Sequence, residues 1–149
     1  MKKNISLLLC LLLLFSLIGC GGNKNYKPEI EANYGEAYRS KNNKEPDGQY
    51  ALINISNIEK KDENIIITVG APTKEQIIYA FNNYLFVNLK DEKGNELKFD
   101  EIKLKTENLS GDAECEIWLT NVKDLDTVKY VEIGPYKIND NNPVVFKID

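Results

Sequence analysis

The stretch YALINISNIEKKDENIIITVG, Tyr50 to Gly70, decides the fold. Its first part sets Ala51, Ile53 and Ile55 on one side of the chain and Tyr50, Leu52, Asn54 and Ser56 on the other, the two-residue period of a half-buried strand. The charged segment EKKDEN reads as a turn. Ile65 to Val69, IIITV, is β-branched throughout, as in a strand buried on both faces. Two such runs joined by a short polar turn read as a hairpin, which Gly70 and Pro72 end.

The same pattern continues downstream. In YLFVNLKDEKGNELKF, Tyr84 to Phe99, Asp91 and Gly94 hold the first and fourth positions of a type I turn, the fourth with positive φ. Leu85, Val87 and Leu89 precede it, Leu97 and Phe99 follow, and Ile102 and Leu104 continue as a strand. After a turn at Asn108 to Asp112, Ala113, Cys115, Ile117 and Leu119 alternate with Glu114, Glu116, Trp118 and Thr120. TVKYVEIGPY is a further strand that Gly134-Pro135 bends, Asn139 to Asn142 is a turn, and PVVFKI closes the chain. Thr73 to Asn83 carries the Thr73/Gln76 spacing of a capping box, yet its residues alternate as well. An irregular crossover with at most one helical turn is expected there. Seven or eight short strands, turns at intervals of roughly 8–12 residues and no long helix define an all-β fold: an antiparallel β-sandwich of immunoglobulin-like type.

Upstream of Tyr50 the pattern is weaker. Ile30, Tyr34 and Tyr38 recur at four-residue spacing behind Pro28, as at a helix start, and Gly35 weakens that helix. A strand over the same residues, or no regular structure, fits equally. Residues 21–28, GGNKNYKP, have the composition of a tether.

The first 20 residues are of another kind. Lys2 and Lys3 precede an apolar run, Ile5 to Ile18, of about 14 residues, short of the roughly 20 that span a bilayer and within the range of a signal-peptide core. Leu17-Ile18-Gly19-Cys20 closes it and resembles the lipobox of bacterial lipoproteins. That resemblance implies cleavage before Cys20, a diacylglyceryl group on its sulfur and attachment to the outer face of the cell membrane. One acyl chain binds reversibly, at about 0.8 kcal/mol per buried methylene, so two chains hold the protein there. The expected organisation is a signal peptide over 1–19, lipidated Cys20 and a tether over 20–48 with room for one ordered element, and the sandwich over 49–149. The mature part is similar to the small immunoglobulin-like domains borne by many Gram-positive lipoproteins.

Composition narrows the chemistry. The chain has 149 residues, 19 basic, 23 acidic and no histidine. Loss of Lys2 and Lys3 with the leader leaves 17 basic residues and a net charge of −6, which argues against nucleic acid and against adhesion to anionic lipid by charge. Without histidine there is no imidazole general base and no imidazole metal ligand. Cys10 leaves with the leader, and Cys115, in an apolar alternation, reads as a buried small hydrophobe. No serine stands in a nucleophile elbow or a Ser-x-x-Lys setting. No catalytic residue, metal site or cofactor is expected. Outward aromatics beside carboxylates stand above this background: Tyr84, Phe86, Glu114, Glu116 and Trp118, a surface that could stack on sugar rings or anchor a protein. The competing reading covers these strands with the tether or a loop. The sequence therefore points to a membrane-anchored extracytoplasmic binding or accessory module with no active site. Its partner would be an envelope protein or a cell-wall glycan. An inhibitor or chaperone-like subunit of an envelope protein, and a carboxylate-only cell-wall hydrolase, remain as alternatives.

Overall fold

The computed structural model describes residues 25–44, 48, 50–106, 114–138 and 143–149. The leader, Cys20, the turns at 108–112 and 139–142, and Ala113 lie outside the described residues. The elements in chain order are β1 (Ala37–Lys44), β2 (Tyr50–Lys61), β3 (Asn64–Gly70), α1 (Lys74–Asn83), β4 (Phe86–Lys90), β5 (Glu96–Leu97), β6 (Glu101–Lys105) and β7 (Glu114–Thr120). A 3-10 turn (Leu125–Thr127) leads to β8 (Tyr130–Gly134), β9 (Tyr136–Lys137) and β10 (Val144–Lys147).

Every strand pairing is antiparallel. The strands form a six-stranded sheet ordered β6-β7-β3-β2-β1-β9 and a four-stranded sheet ordered β10-β8-β4-β5. Eight of these strands, β6-β7-β3-β2 facing β10-β8-β4-β5, have the D-E-B-A and G-F-C-C′ order of an immunoglobulin-like sandwich. The count exceeds the expected seven or eight because β1 and β9 pair with each other beyond β2 and widen one sheet.

The deciding hairpin forms as its alternation requires. Ala51, Ile53, Ile55, Ile65, Ile67 and Val69 are buried in one core cluster with Leu89, Ile117, Leu119, Val131 and Ile133 from both sheets. Two details differ. A bulge between Ile55 and Asn57 switches the inward set, so that Ile58 follows Ile55 into the core. Lys61 pairs with Asn64, so the turn is only Asp62-Glu63, with Asp62 at φ 54, and both strands run further into EKKDEN than expected. At the next turn Gly94, at φ 84, donates its N–H to the Asp91 carbonyl, and the Asp91 carboxylate accepts from the Lys93 and Asn95 amides.

The segment expected to hold at most one helical turn is a ten-residue helix. Thr73 Oγ1 accepts the Gln76 amide while Gln76 Oε1 accepts the Thr73 amide, which satisfies two of the orphan donors at the start. Ile77 and Ala80, three apart, are buried against the sandwich. Capping and one apolar stripe prevail over the shorter alternation.

The sandwich begins ahead of residue 49. Tyr38 and Ser40 on β1 face inward, 3 % and 1 % exposed. The Ile30, Tyr34 and Tyr38 spacing forms no helix: the Tyr34 ring stacks 5.1 Å from Phe146, and the Tyr38 hydroxyl accepts the Asn33 amide at 2.7 Å. Part of the expected tether is a strap over the outer face of the four-stranded sheet. Ala32 donates its N–H to the Val145 carbonyl, and Tyr26 donates its own to that of Glu92.

Beneath the strap lies Glu132, 5 % exposed in the middle of a strand buried on both faces. A carboxylate there is costly unless paired and hydrogen-bonded. Lys90 Nζ forms an ion pair with it, and the Tyr26 hydroxyl donates to Oε1 at 2.9 Å. The Tyr130 hydroxyl donates to the Tyr26 carbonyl, and the Lys90 ammonium stands 4.7 Å from the Tyr26 ring centroid. Burial and the Glu132 carboxylate raise the Tyr26 pKa. Burial works to lower that of Lys90, but its hydrogen bond and attraction to Glu132 outweigh burial and raise it. Both groups hold their protons more tightly when folded, so their contribution to stability is complete at neutral pH. It is lost as pH rises above about 10.

Cys115 is fully buried, and burial raises its thiol pKa against the opposing charge of Lys74. In the native protein its reaction with a water-soluble thiol reagent should be limited by unfolding and should become fast in denaturant. Immediate native labelling would place β7 in the opposite register, with Trp118 inward.

Candidate functional site

The outer face of the six-stranded sheet is built from cross-strand rows. Lys103, Trp118, Ile66 and Glu59 are successive partners across β6, β7, β3 and β2. Lys105, Glu116, Thr68 and Asn57 form the next row. Glu114, Gly70, Asn54 and Ala37 form the third, which runs on to β1.

The third row makes a depression. Gly70 has no side chain and Ala37 only a methyl, so the sheet surface drops between Glu114 on one side and Leu52 on the other. The result is a trough of about 370 Å³, also lined by Asn54, Ala71 and Pro72. Leu52 forms an open apolar wall, 41 % exposed. Past it, the Arg39 guanidinium carbon lies 4.1 Å from the Tyr50 ring centroid, with Lys44 Nζ at 5.0 Å. A carboxylate, an amide and aliphatic walls along one shallow channel suit an extended polar ligand. They offer no nucleophile with a base beside it.

Three of the five residues singled out from the sequence share this face: Glu114 lines the trough, and Glu116 and Trp118 follow it along β7. Trp118 is half-buried, and its polar and aromatic capacity is engaged within the chain. Its indole N–H donates to Glu116 Oε2 at 2.7 Å, and Lys105 Nζ lies 3.1 Å from its ring centroid. Its partner Ile66 is 3 % exposed although it stands outside the core cluster. Trp118 therefore covers its cross-strand partner Ile66 and stands outside the trough, beside a separate hollow lined with Lys103, Lys105 and Thr120.

Tyr84 and Phe86 do not join them. Phe86 opens β4, on the outer face of the other sheet, where its ring lies against Gly134 and leaves no room for a Cβ there. Tyr84 caps the C-terminus of α1, its ring 6.1 Å from that of Tyr79. The single surface expected across all five residues is divided: Glu114, Glu116 and Trp118 stand on one sheet, Phe86 on the other, and Tyr84 at the end of α1. Strand alternation tells inward from outward within a strand, and does not tell which sheet the strand joins.

Sequence reasoning missed the trough residues Ala37, Leu52, Asn54 and Gly70, because a small residue in a strand is visible only once its cross-strand neighbours are known. It also missed Glu132, whose signal was present: a lone acid inside YVEIG needs a partner. Elsewhere the loops at one end gather Asp62, Glu63, Asp100, Asp124 and Asp126 around a hollow of about 570 Å³. Among the described residues no group of three or more His, Cys, Asp or Glu is arranged to hold a metal ion, and no helix is long and apolar enough to cross a membrane. No protein-family model, no curated protein and no solved structure matches the chain.

The division of labour at Trp118 has a measurable consequence. Trp118→Ala should cost about 1–2 kcal/mol, from the lost cover over Ile66 and the lost cation–π contact. Ile67→Ala, in the core, should cost about 2–5 kcal/mol. Equal losses in denaturant melts would make Trp118 a core residue.

Proposed function

We propose that the chain is a membrane-anchored extracytoplasmic binding module with no active site, and that it holds a hydroxyl-rich cell-wall glycan along the outer face of its six-stranded sheet. The trough of Ala37, Leu52, Asn54, Gly70 and Glu114 carries this reading. A protein hot spot centres on large apolar or aromatic anchors that become fully desolvated. Here the one Trp is already engaged, and the trough itself is lined by Glu114 and Asn54 among small and aliphatic residues. Carboxylates and amides accept and donate to sugar hydroxyls, while Leu52 and Tyr50 offer the apolar contact that a sugar ring's C–H face needs. The leader supports attachment at Cys20 to the outer face of the membrane: two lysines, a short apolar core and Gly19-Cys20.

Two substitutions test the two halves of the proposal. Cys20→Ser should move the protein from the membrane fraction to the medium or leave it unprocessed. A variant that stays membrane-bound at mature size contradicts the anchor. Leu52→Arg fills the trough from an exposed position, so the melting temperature should hold. Retention on purified cell-wall polymer should fall about tenfold or more, equivalent to about 1.4 kcal/mol. Unchanged retention, with one envelope protein captured instead, would favour the inhibitor or chaperone-like reading. Release of soluble fragments from the polymer would favour a hydrolase, with the acidic hollow as its site.

A further inference from the structure

We propose that the strap does more than close the sandwich: it seats the domain with the outer face of the four-stranded sheet, at the Asp91–Asn95 turn, toward the lipid bilayer. This rests on the anchor at Cys20 proposed above and adds an orientation that the anchor alone does not supply.

Reach limits how the domain can sit. Tyr26 is fixed on that outer face by four contacts. Its N–H bonds the Glu92 carbonyl at 2.7 Å and its hydroxyl bonds Glu132. Its carbonyl accepts the Tyr130 hydroxyl, and its ring lies on Gly94, where a Cβ would meet it at 2.9 Å. Tyr26 follows Cys20 by 26 − 20 = 6 residues. At 3.3–3.6 Å per residue, a fully extended chain of that length spans about 20 Å. The two sheets of a sandwich lie about 10 Å apart, and outward side chains bring the distance between the two outer surfaces to about 20 Å. To lay the six-stranded sheet on the bilayer, the chain would have to leave Tyr26, pass around an edge and then cross that whole thickness. It is too short. Of the two broad faces of the sandwich, the four-stranded sheet, at the Asp91–Asn95 turn beside Tyr26, is the one this leash can bring to the lipid.

A second observation agrees with this placement. Phe86, on the same outer face, is 40 % exposed, and an exposed apolar ring gains by burial at the headgroup–acyl boundary. Asp91, Glu92 and Glu96 stand at the turn beside Lys93, so charge attraction to anionic lipid does not set the orientation; the leash does. The trough then points away from the membrane, toward the cell wall.

The test uses the full-length chain, expressed with its leader and reconstituted through its own lipid into phosphatidylglycerol–phosphatidylcholine vesicles carrying a headgroup quencher. A fluorophore is placed at Lys93→Cys or at Asn57→Cys, the latter on the outer face of the six-stranded sheet; Cys115 is buried and should stay unlabelled. The proposal expects flotation with the vesicles and several-fold stronger quenching at position 93 than at 57. Tyr26→Ala, which frees the strap and lengthens the leash, should keep flotation and abolish the difference. Flotation with equal quenching at both positions, or stronger quenching at 57, overturns the orientation and leaves the anchor standing. Failure to float overturns the anchor and the orientation with it.

Discussion

The Glu132 carboxylate sits in the middle of a strand with no face open to water. A charge in that position must be paired, and two groups pair it: the Lys90 ammonium, one strand away, and the Tyr26 hydroxyl, more than a hundred residues away in sequence. The first comes with the sheet. The second requires the N-terminal segment to cross the sheet and stay there. Breaking a buried pair by removing one partner costs about 3–5 kcal/mol, because a charge is then left without compensation. The strap is thus held by a polar constraint, and two further contacts follow it: the backbone hydrogen bond from Ala32 to Val145 and the Tyr34 ring on Phe146.

That constraint makes the two outer faces unlike. One sheet is roofed by its own N-terminus, and it bears the chain end that leads to Cys20. The other is broader by two strands, carries the trough and has no described segment lying across its centre. The bulge at Ser56-Asn57 and the small residues Ala37 and Gly70 shape that second face, and the Glu116–Trp118–Lys105 group closes one end of it. A module that must be held on one side and make contact on the other has this asymmetry as its minimum requirement.

Much of the sandwich was legible because its strongest signals are local. IIITV read as a strand buried on both faces, which holds for all but the half-buried Thr68, and Asp91 with Gly94 marked the turn between β4 and β5. The capping box at Thr73 and Gln76 was legible too, but a ten-residue helix with two fully buried positions leaves a faint stripe, and its length was underestimated. Strand β1 was illegible: its inward side chains include one tyrosine and one serine, and a strand that buries so little apolar surface shows almost no alternation. The candidate site was half legible. Glu114, Glu116 and Trp118 share a face because they share a strand, whereas joining them to Tyr84 and Phe86 required knowing the sheet order. The trough required knowing which residues sit opposite Gly70 on the two neighbouring strands and on β1 beyond, and no single stretch of sequence holds that information.

If the strap belongs to the domain, its amides should exchange with the domain. Native-state hydrogen exchange on the intact chain measures this directly. The Tyr26 and Ala32 amides, bonded to Glu92 and Val145, should show protection that is lost together with that of β8 and β10, well above that of a free chain. Exchange of both at the free-chain rate, while Val131 and Phe146 stay protected, would show a segment that only touches the sheet. The buried Glu132 would then have to be held by Lys90 alone.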